Sequence, residues 1–237
     1  MRKESLKFSE VFHPGDIKVS VVICTLNEAE NLPHILPQIP AWVSEVLLVD
    51  GHSKDGTAEI AANLLPSIRI LKQPGQGKGD AIKYGFEKAE GDIIIAIDAD
   101  GSMNPAEMGK YAESLIQGSD LCKGSRFIEG GGTEDMPRHR IFGNWCFTAL
   151  TNILYGTRFT DLAYGYFGCR REAWPKIKPE SSGFTIETEI SLKAKKSKLK
   201  ITEVPSFEKM RISGKGNLRS FPDGSKILWM IIKQRFQ

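Results

Sequence analysis

Four short apolar runs, at residues 19–24, 46–49, 67–71 and 93–97, alternate with segments of helical periodicity. No other feature limits the fold as strongly. The runs are rich in valine, isoleucine and leucine and read as buried strands. Between the first two, Leu32, Ile35, Leu36 and Ile39 recur at helical spacing, with Pro33 tolerable only near a first turn. Residues 57–65 read as a helix after the turn Lys54-Asp55-Gly56, and residues 80–89 as another before the turn Gly91-Asp92. The order β-α-β-α-β-α-β predicts an α/β fold with a mainly parallel central sheet flanked by helices. With 237 residues, no repeat and no linker, a single domain is expected.

In such sheets ligands bind beyond the carboxyl ends of the strands. The first run leads into Thr25-Leu26-Asn27-Glu28, the second into Asp50-Gly51-His52 and the fourth into Asp98-Ala99-Asp100. Three strands therefore deliver carboxylates to one edge, more than helix capping requires. Side chains two apart on a strand share a face, so Asp98 and Asp100 sit together. Like charges that close repel unless a cation lies between them. Carboxylates with few other donors suit Mg²⁺ or Mn²⁺, with substrate phosphates completing the shell. The alternative is one capping and one solvated aspartate. Asp50 can accept from the ring N–H of uracil or guanine. Residues 73–80 resemble a phosphate loop but lack the first glycine and the Ser or Thr of a Walker A sequence, having Lys72 and Gly79 there. No G-x-G-x-x-G follows the first strand.

Beyond Asp100, Asn104 is the expected N-cap of a helix, with Pro105 at its first position and Glu107 completing a capping box. A strand is expected over 120–125, a mobile loop at 129–133 and a long helix over 138–155. Residues 164–170 read as a strand, 184–196 as a helix, 200–204 as a strand and 223–236 as a final helix, with a loop over 205–222. The net charge of +3 argues against a dedicated nucleic-acid binder. The four cysteines are isolated and fit a reducing compartment. Residues 1–10 have no apolar core of a secretory signal, and no run is long enough to span a membrane. A cytoplasmic location, or one at the cytoplasmic face of the membrane, is expected.

The segments VSVVICTLNEAENL, VLLVDGHSKDGT and GQGKGDAIKYGFEKAEGDIIIAIDADGSMNP, then KGSRF, DLAYGYFGCRR and FTIETEISLKAKKSKLKITEVP, resemble the family 2 glycosyltransferases of GT-A fold, a Rossmann-like nucleotide-binding architecture. The likeness spans nearly the whole chain and is strongest to dolichyl- and polyprenyl-phosphate sugar synthases and related bacterial transferases. It implies a nucleotide-sugar half at about 17–125 and an acceptor half at about 126–237. It implies that Thr25 and Glu28 contact the nucleoside, that Asp50 holds the base, and that Lys78 lies on the donor side. Asp98 and Asp100 match the D-x-D pair, Asp100 being the expected direct ligand of Mg²⁺ or Mn²⁺, with Ser102 a further contact. Arg126 and Arg140 fall where relatives bind phosphate, and Asp161 near the sugar pocket. Gly51, Tyr164 and Tyr166 depart from the common pattern.

The implied reaction is inverting transfer from a UDP- or GDP-linked sugar to a polyprenyl or dolichyl phosphate. A sugar or small-molecule hydroxyl is the alternative acceptor, and a non-catalytic nucleotide-sugar-binding scaffold the alternative role. A hydroxyl needs a general base, for which Asp161, Glu187 and Glu189 are candidates and Glu187 is preferred. Glu187 and Glu189 are two apart on a helix, so one is expected to be solvated. Lys193, Lys195, Lys196, Lys198 and Lys200, with the apolar run 227–232, could rest on an anionic membrane; a solvated helix end and a core-packing helix are the alternative. Residues 210–219 are expected to form a lid over the acceptor.

Overall fold

A computed structural model describes residues 17–214, 216 and 219–236. The charged residues 1–10, read above as no signal, lie outside the described residues. So do positions 215, 217 and 218 of the expected lid.

The chain opens as predicted. Strands β1 (Val19–Thr25), β2 (Glu45–Asp50), β3 (Arg69–Lys72) and β4 (Ile93–Asp98) alternate with helices α1 (Leu32–Ile35), α2 (Thr57–Leu64) and α3 (Lys78–Lys88). Helix α4 (Met108–Ile116) leads to β5 (Leu121–Ser125), the short strand β6 (Gly132–Thr133) and the long helix α5 (Arg138–Tyr155). Then follow β7 (Phe167–Arg170), α6 (Trp174–Ile177), α7 (Ile186–Lys196), β8 (Ile201–Pro205), β9 (Phe207–Glu208) and α8 (Ser220–Phe236). The main sheet has seven strands in the order β3-β2-β1-β4-β7-β5-β8. All neighbours pair parallel except β7, which runs antiparallel to both β4 and β5.

Alternation along the central strands divides the core. Val19, Val21, Ile23, Ile95 and Ile97 face α4 through Met108, Tyr111 and Leu115. Val22, Leu47, Val49, Ile94 and Ala96 face α3 and α7 through Ile82, Phe86, Ile186 and Ile190. A third cluster joins Phe159 and Leu162 to Leu192 of α7 and to Ile227 and Ile231 of α8.

Several expectations are corrected. The helix read over Leu32 to Ile39 ends at Ile35 and continues as a 3₁₀ turn, Leu36–Gln38. Pro37 has no N–H to continue the α-helical ladder. Asn104 caps through Ala106 N–H, but Glu107 does not complete a capping box. Its carboxylate instead accepts from Ser206 and Lys110. Within 129–133, Gly132–Thr133 pairs with Phe207–Glu208 of the supposed loop 205–222. Helix α8 begins at Ser220, three residues early, with Pro222 tolerated in its first turn.

Neither Glu187 nor Glu189 is solvated. The Glu189 carboxylate accepts from the backbone N–H groups of Glu180 (3.0 Å) and Ser181 (2.7 Å) and pairs with Lys193 (3.0 Å). Burial raises its pKa, but the Ser181 and Glu180 hydrogen bonds and Lys193 outweigh that and hold it below its ordinary 4.5. A depressed carboxylate contributes stability above its unfolded pKa and loses it as pH falls through the folded value. Glu189→Gln is therefore expected to lower stability by about 1–3 kcal/mol at pH 7, the scale of a lost buried charge-assisted hydrogen bond. In thermal unfolding the gap from wild type should narrow as pH drops below 4.5.

Candidate active site

The carboxyl ends of β1, β2 and β4 open into a cavity of about 460 Å³. Its walls include Thr25, Glu28, Gly51, Lys78, Asp98 and Asp100, with Phe184 and Arg211 from the second half of the chain. Backbone turns shape it. Asn27 takes a left-handed conformation (φ 57°), its N–H bonding Ser53 Oγ and its side-chain oxygen accepting from Lys54 N–H. The turns after β1 and β2 are thereby tied together. Gly51 N–H bonds Thr25 O at 2.8 Å, and a Cβ at Gly51 would lie 3.1 Å from that same oxygen.

Thr25 is buried, and its hydroxyl donates to Val49 O at 3.3 Å. Glu28 reaches the cavity beside Asn31 and Arg211, and burial pushes its carboxyl above the ordinary range. Asp50 stands at the rim: it accepts from Ser53 N–H while its neighbours Gly51 and His52 line the wall.

Lys78, in the first turn of α3, lies 2.7 Å from Asp98 and 2.9 Å from Glu187. Burial alone would lower its pKa; the two carboxylates more than reverse this, and the ammonium stays charged. Gly165 makes room for it, since a Cβ there would lie 2.6 Å from Lys78 Nζ. Burial pushes the Cys24 thiol, near the same group, up to about 12, away from the thiolate form.

Asp100 is oriented by Ser102, whose N–H (3.0 Å) and hydroxyl (2.7 Å) donate to Oδ1. Its Oδ2 lies 2.7 Å from Arg211. Among the described residues no cluster of three or more His, Cys, Asp or Glu side chains forms a ready-made metal cage. The D-x-D carboxylates are nonetheless an all-oxygen donor set open to a cavity. That chemistry fits a hard divalent ion whose remaining positions are filled by diphosphate and water.

Among the expected site residues, Asp50 and Glu187 do not line the cavity but lie beside residues that do, whereas Arg126, Asp161 and Arg140 stand elsewhere. Arg126, 5% exposed, and Asp161, 0% exposed, are bonded to each other, and neither lines the cavity. Arg126 Nε and Nη2 meet the two Asp161 oxygens at 2.7 and 3.0 Å, and Nη1 meets Glu208 at 3.0 Å. Asn144 of α5 donates to Asp161 as well, at 3.1 Å. This pair joins β5, the segment before β7, and β9. Arg140 lies in the first turn of α5 with Nε 3.0 Å from Ser220 Oγ. Arg211 was not singled out by sequence reasoning. It lies in a basic, glycine-bearing segment that periodicity could only describe as loop.

The parallel strands, the switch at β7 and the acidic cavity define a GT-A glycosyltransferase fold. The glycosyl transferase family 2 model matches residues 20–177, and the chain belongs to that family. A dolichol-phosphate mannosyltransferase of Pyrococcus furiosus is 32% identical over 218 residues, covering 86% of this chain and 60% of the relative. The polyprenol monophosphomannose synthase of Mycolicibacterium smegmatis is 29% identical over 203 residues, covering 78% of this chain and 75% of the relative. The chain thus spans less than two thirds of the Pyrococcus protein's length. Among solved structures, glucosyl-3-phosphoglycerate synthase of Mycobacterium tuberculosis, in complex with Mn²⁺, UDP and glucosyl-3-phosphoglycerate, superposes with a TM-score of 0.74 at 18% identity. That match covers 100% of this chain and 86% of the other.

Removing Lys78 would leave the buried Glu187 and the half-buried Asp98 without their shared cation. Lys78→Met is expected to cost about 3–5 kcal/mol in urea unfolding, the scale of breaking a buried ion pair from one side. The double variant Lys78→Met/Glu187→Gln should recover part of that loss. Strict additivity of the two changes would show that the pair is not coupled.

Proposed function

We propose that this chain transfers a sugar, with inversion, from a UDP- or GDP-linked donor to a polyprenyl or dolichyl phosphate. The carrying observation is the cavity at the strand ends, where Asp98, Asp100 and Glu28 gather beside Lys78 and Arg211. Residues 17–125 supply most of its wall, and residues 126–237 would hold the acceptor. Asp50 at the rim would accept from the base, and Thr25 and Glu28 would face the nucleoside. Asp100 would hold Mg²⁺ or Mn²⁺ directly, and Asp98, both of whose oxygens meet Lys78, would support the donor beside it. Such an ion would neutralise charge developing on the leaving diphosphate. The mycobacterial enzyme of the same fold, described with Mn²⁺ and UDP, supports this assignment.

The state of the carboxylates supports an anionic acceptor. A hydroxyl nucleophile needs a base, yet each candidate is engaged: Asp161 by Arg126, Glu187 by Lys78 and Glu189 by Lys193. A phosphate oxygen already carries the electron pair. It attacks the anomeric carbon, the bond from that carbon to the diphosphate breaks, and the nucleoside diphosphate leaves with the bonding pair. No proton need move. The relatives named for dolichol phosphate and polyprenol support the same choice.

A lipid acceptor requires access to a bilayer. No helix among the described residues is long and apolar enough to cross one. Exposed apolar side chains instead form stripes on two packed helices. On α5 they are Phe142, Trp145 (64% exposed) and Ile153; on α8 they are Phe221 (89% exposed), Trp229 and Phe236. Of the apolar run 227–232, Ile227 and Ile231 are buried, whereas Leu228, Trp229 and Ile232 are exposed. The lysines expected to meet lipid partly tie local structure: Lys193 pairs with Glu180 and Glu189, and Lys196 donates to Gln234 O. Tryptophan and phenylalanine beside Lys226, Lys233 and Arg235 suit an anionic membrane surface.

Thermal unfolding with UDP and with GDP, each with Mn²⁺ or with chelator, tests the donor site. One nucleotide is expected to raise the midpoint only with metal, by the equivalent of about 2.7 kcal/mol at a hundredfold excess over Kd. Asp100→Ala should abolish the rise; no rise with either nucleotide would overturn the donor reading. Separately, wild type should sediment with anionic vesicles at low salt, and Trp145→Ser/Trp229→Ser should remain largely in the supernatant. Equal sedimentation of the two would remove these helices from the membrane contact.

A further inference from the structure

The acidic centre already holds a cation that the donor reading does not require. Arg211 Nη2 lies 2.7 Å from Asp100 Oδ2, and Nη1 lies 3.5 Å from Glu28 Oε1. With Ser102 on Oδ1, both oxygens of the expected metal ligand are engaged before any ligand arrives.

The backbone places Arg211 there. The strap after β9 crosses the D-x-D turn and is fastened on both sides of the arginine. Lys209 N–H bonds Ser102 O at 2.8 Å, and Ile212 N–H bonds Asp100 O at 3.1 Å. Beyond it, Ser213 O accepts from Asn31 of the turn after β1. Ile212 packs on Gly101, whose φ of +80° and lack of Cβ allow the approach: a Cβ there would lie 2.3 Å from Ile212 Cδ1.

The two cations of the site are held differently. Lys78 is gripped by Asp98 and Glu187 and cannot leave without abandoning one buried and one half-buried carboxylate. Arg211 has a long side chain on a loop that borders the cavity, so its guanidinium can leave Asp100 while the strap stays fastened. A guanidinium on a carboxylate oxygen excludes a metal ion from that oxygen by both occupancy and charge.

We propose that Arg211 is an internal counter-ion standing in for the divalent cation, so that metal binds at Asp100 only as a nucleoside diphosphate draws the guanidinium away. A diphosphate offers the fork-shaped cation a bidentate partner in place of the two carboxylates it now bridges. Metal and nucleotide then bind synergistically, each raising the other's affinity by one factor. This inference rests on the donor reading above.

Mn²⁺ binding, followed by the electron paramagnetic resonance of the free ion, tests it on wild type and Arg211→Gln with no nucleotide, with UDP and with GDP. Without nucleotide, Arg211→Gln is expected to bind Mn²⁺ about tenfold more tightly than wild type, the scale on which one adjacent opposite charge acts on a carboxylate. The gain in affinity on adding nucleotide should be smaller in the variant, and Arg211→Lys should fall between. Adding Asp100→Asn to Arg211→Gln should remove the tighter binding. Ile212→Ala, which loosens the strap and keeps the arginine, should shift Mn²⁺ affinity the same way by less and serves if Arg211→Gln does not fold. Equal or weaker nucleotide-free binding by Arg211→Gln, or tighter binding that survives loss of Asp100, overturns the inference. If wild type takes up Mn²⁺ with a nucleotide while the variant's nucleotide-free affinity is unchanged, only the inference falls. If no protein takes up Mn²⁺ under any condition, the donor reading falls with it.

Discussion

A single ammonium group holds the site together. Lys78 begins α3, Asp98 ends β4 and Glu187 begins α7, and the three meet within 2.9 Å. Two carboxylates at that spacing would separate or take up protons without a cation between them. The lysine thus lets the sheet edge stay acidic while the helices on one face close over it. It also joins the two halves of the chain, because Glu187 belongs to the segment beyond β7. The cavity wall shows the same sharing: most of it comes from the first half, yet Phe184 and Arg211 complete it.

The first hundred residues were legible because the physics there is local. A parallel strand buried on both faces must be a β-branched or aliphatic run, and its carboxyl end must meet solvent or ligand. Val19–Thr25, Glu45–Asp50 and Ile93–Asp98 follow that rule, and Thr25, Gly51, His52 and Asp98, at or just beyond their ends, line the cavity. The long helix Arg138–Tyr155 was equally plain, with Pro137 before it and Gly156 in the left-handed conformation after it. Strand β7 proved shorter than residues 164–170 suggested. Tyr164 and Tyr166 are buried as a strand's would be, but their hydroxyls bond Ser206 and Asn104 O, and Tyr166 stacks on Tyr111.

Charge partnership was not legible in the sequence. Arg126 and Asp161 looked like two independent functional groups, one for phosphate and one for sugar. In the fold they satisfy each other in a buried, bidentate pair closed by Asn144 and Glu208. The partners lie far apart in the chain, and no local pattern couples them. The same holds for Arg211 and Asp100, brought together by a strap that has no periodicity to read. Buried ion pairs are long-range contacts between residues that each look solvated or catalytic when taken singly.

The missing side chain at Gly165 has a consequence for the chemistry around it. The Lys78 ammonium occupies the volume where a methyl group at 165 would stand. A descendant that gained alanine there would have to shorten or redirect the side chain at 78, or lose the contact with Asp98 and Glu187. An alanine at 165 therefore requires the Lys78 side chain to shift. A glycine that looks like a neutral spacer in the written sequence is, in the folded molecule, the room that the ammonium needs.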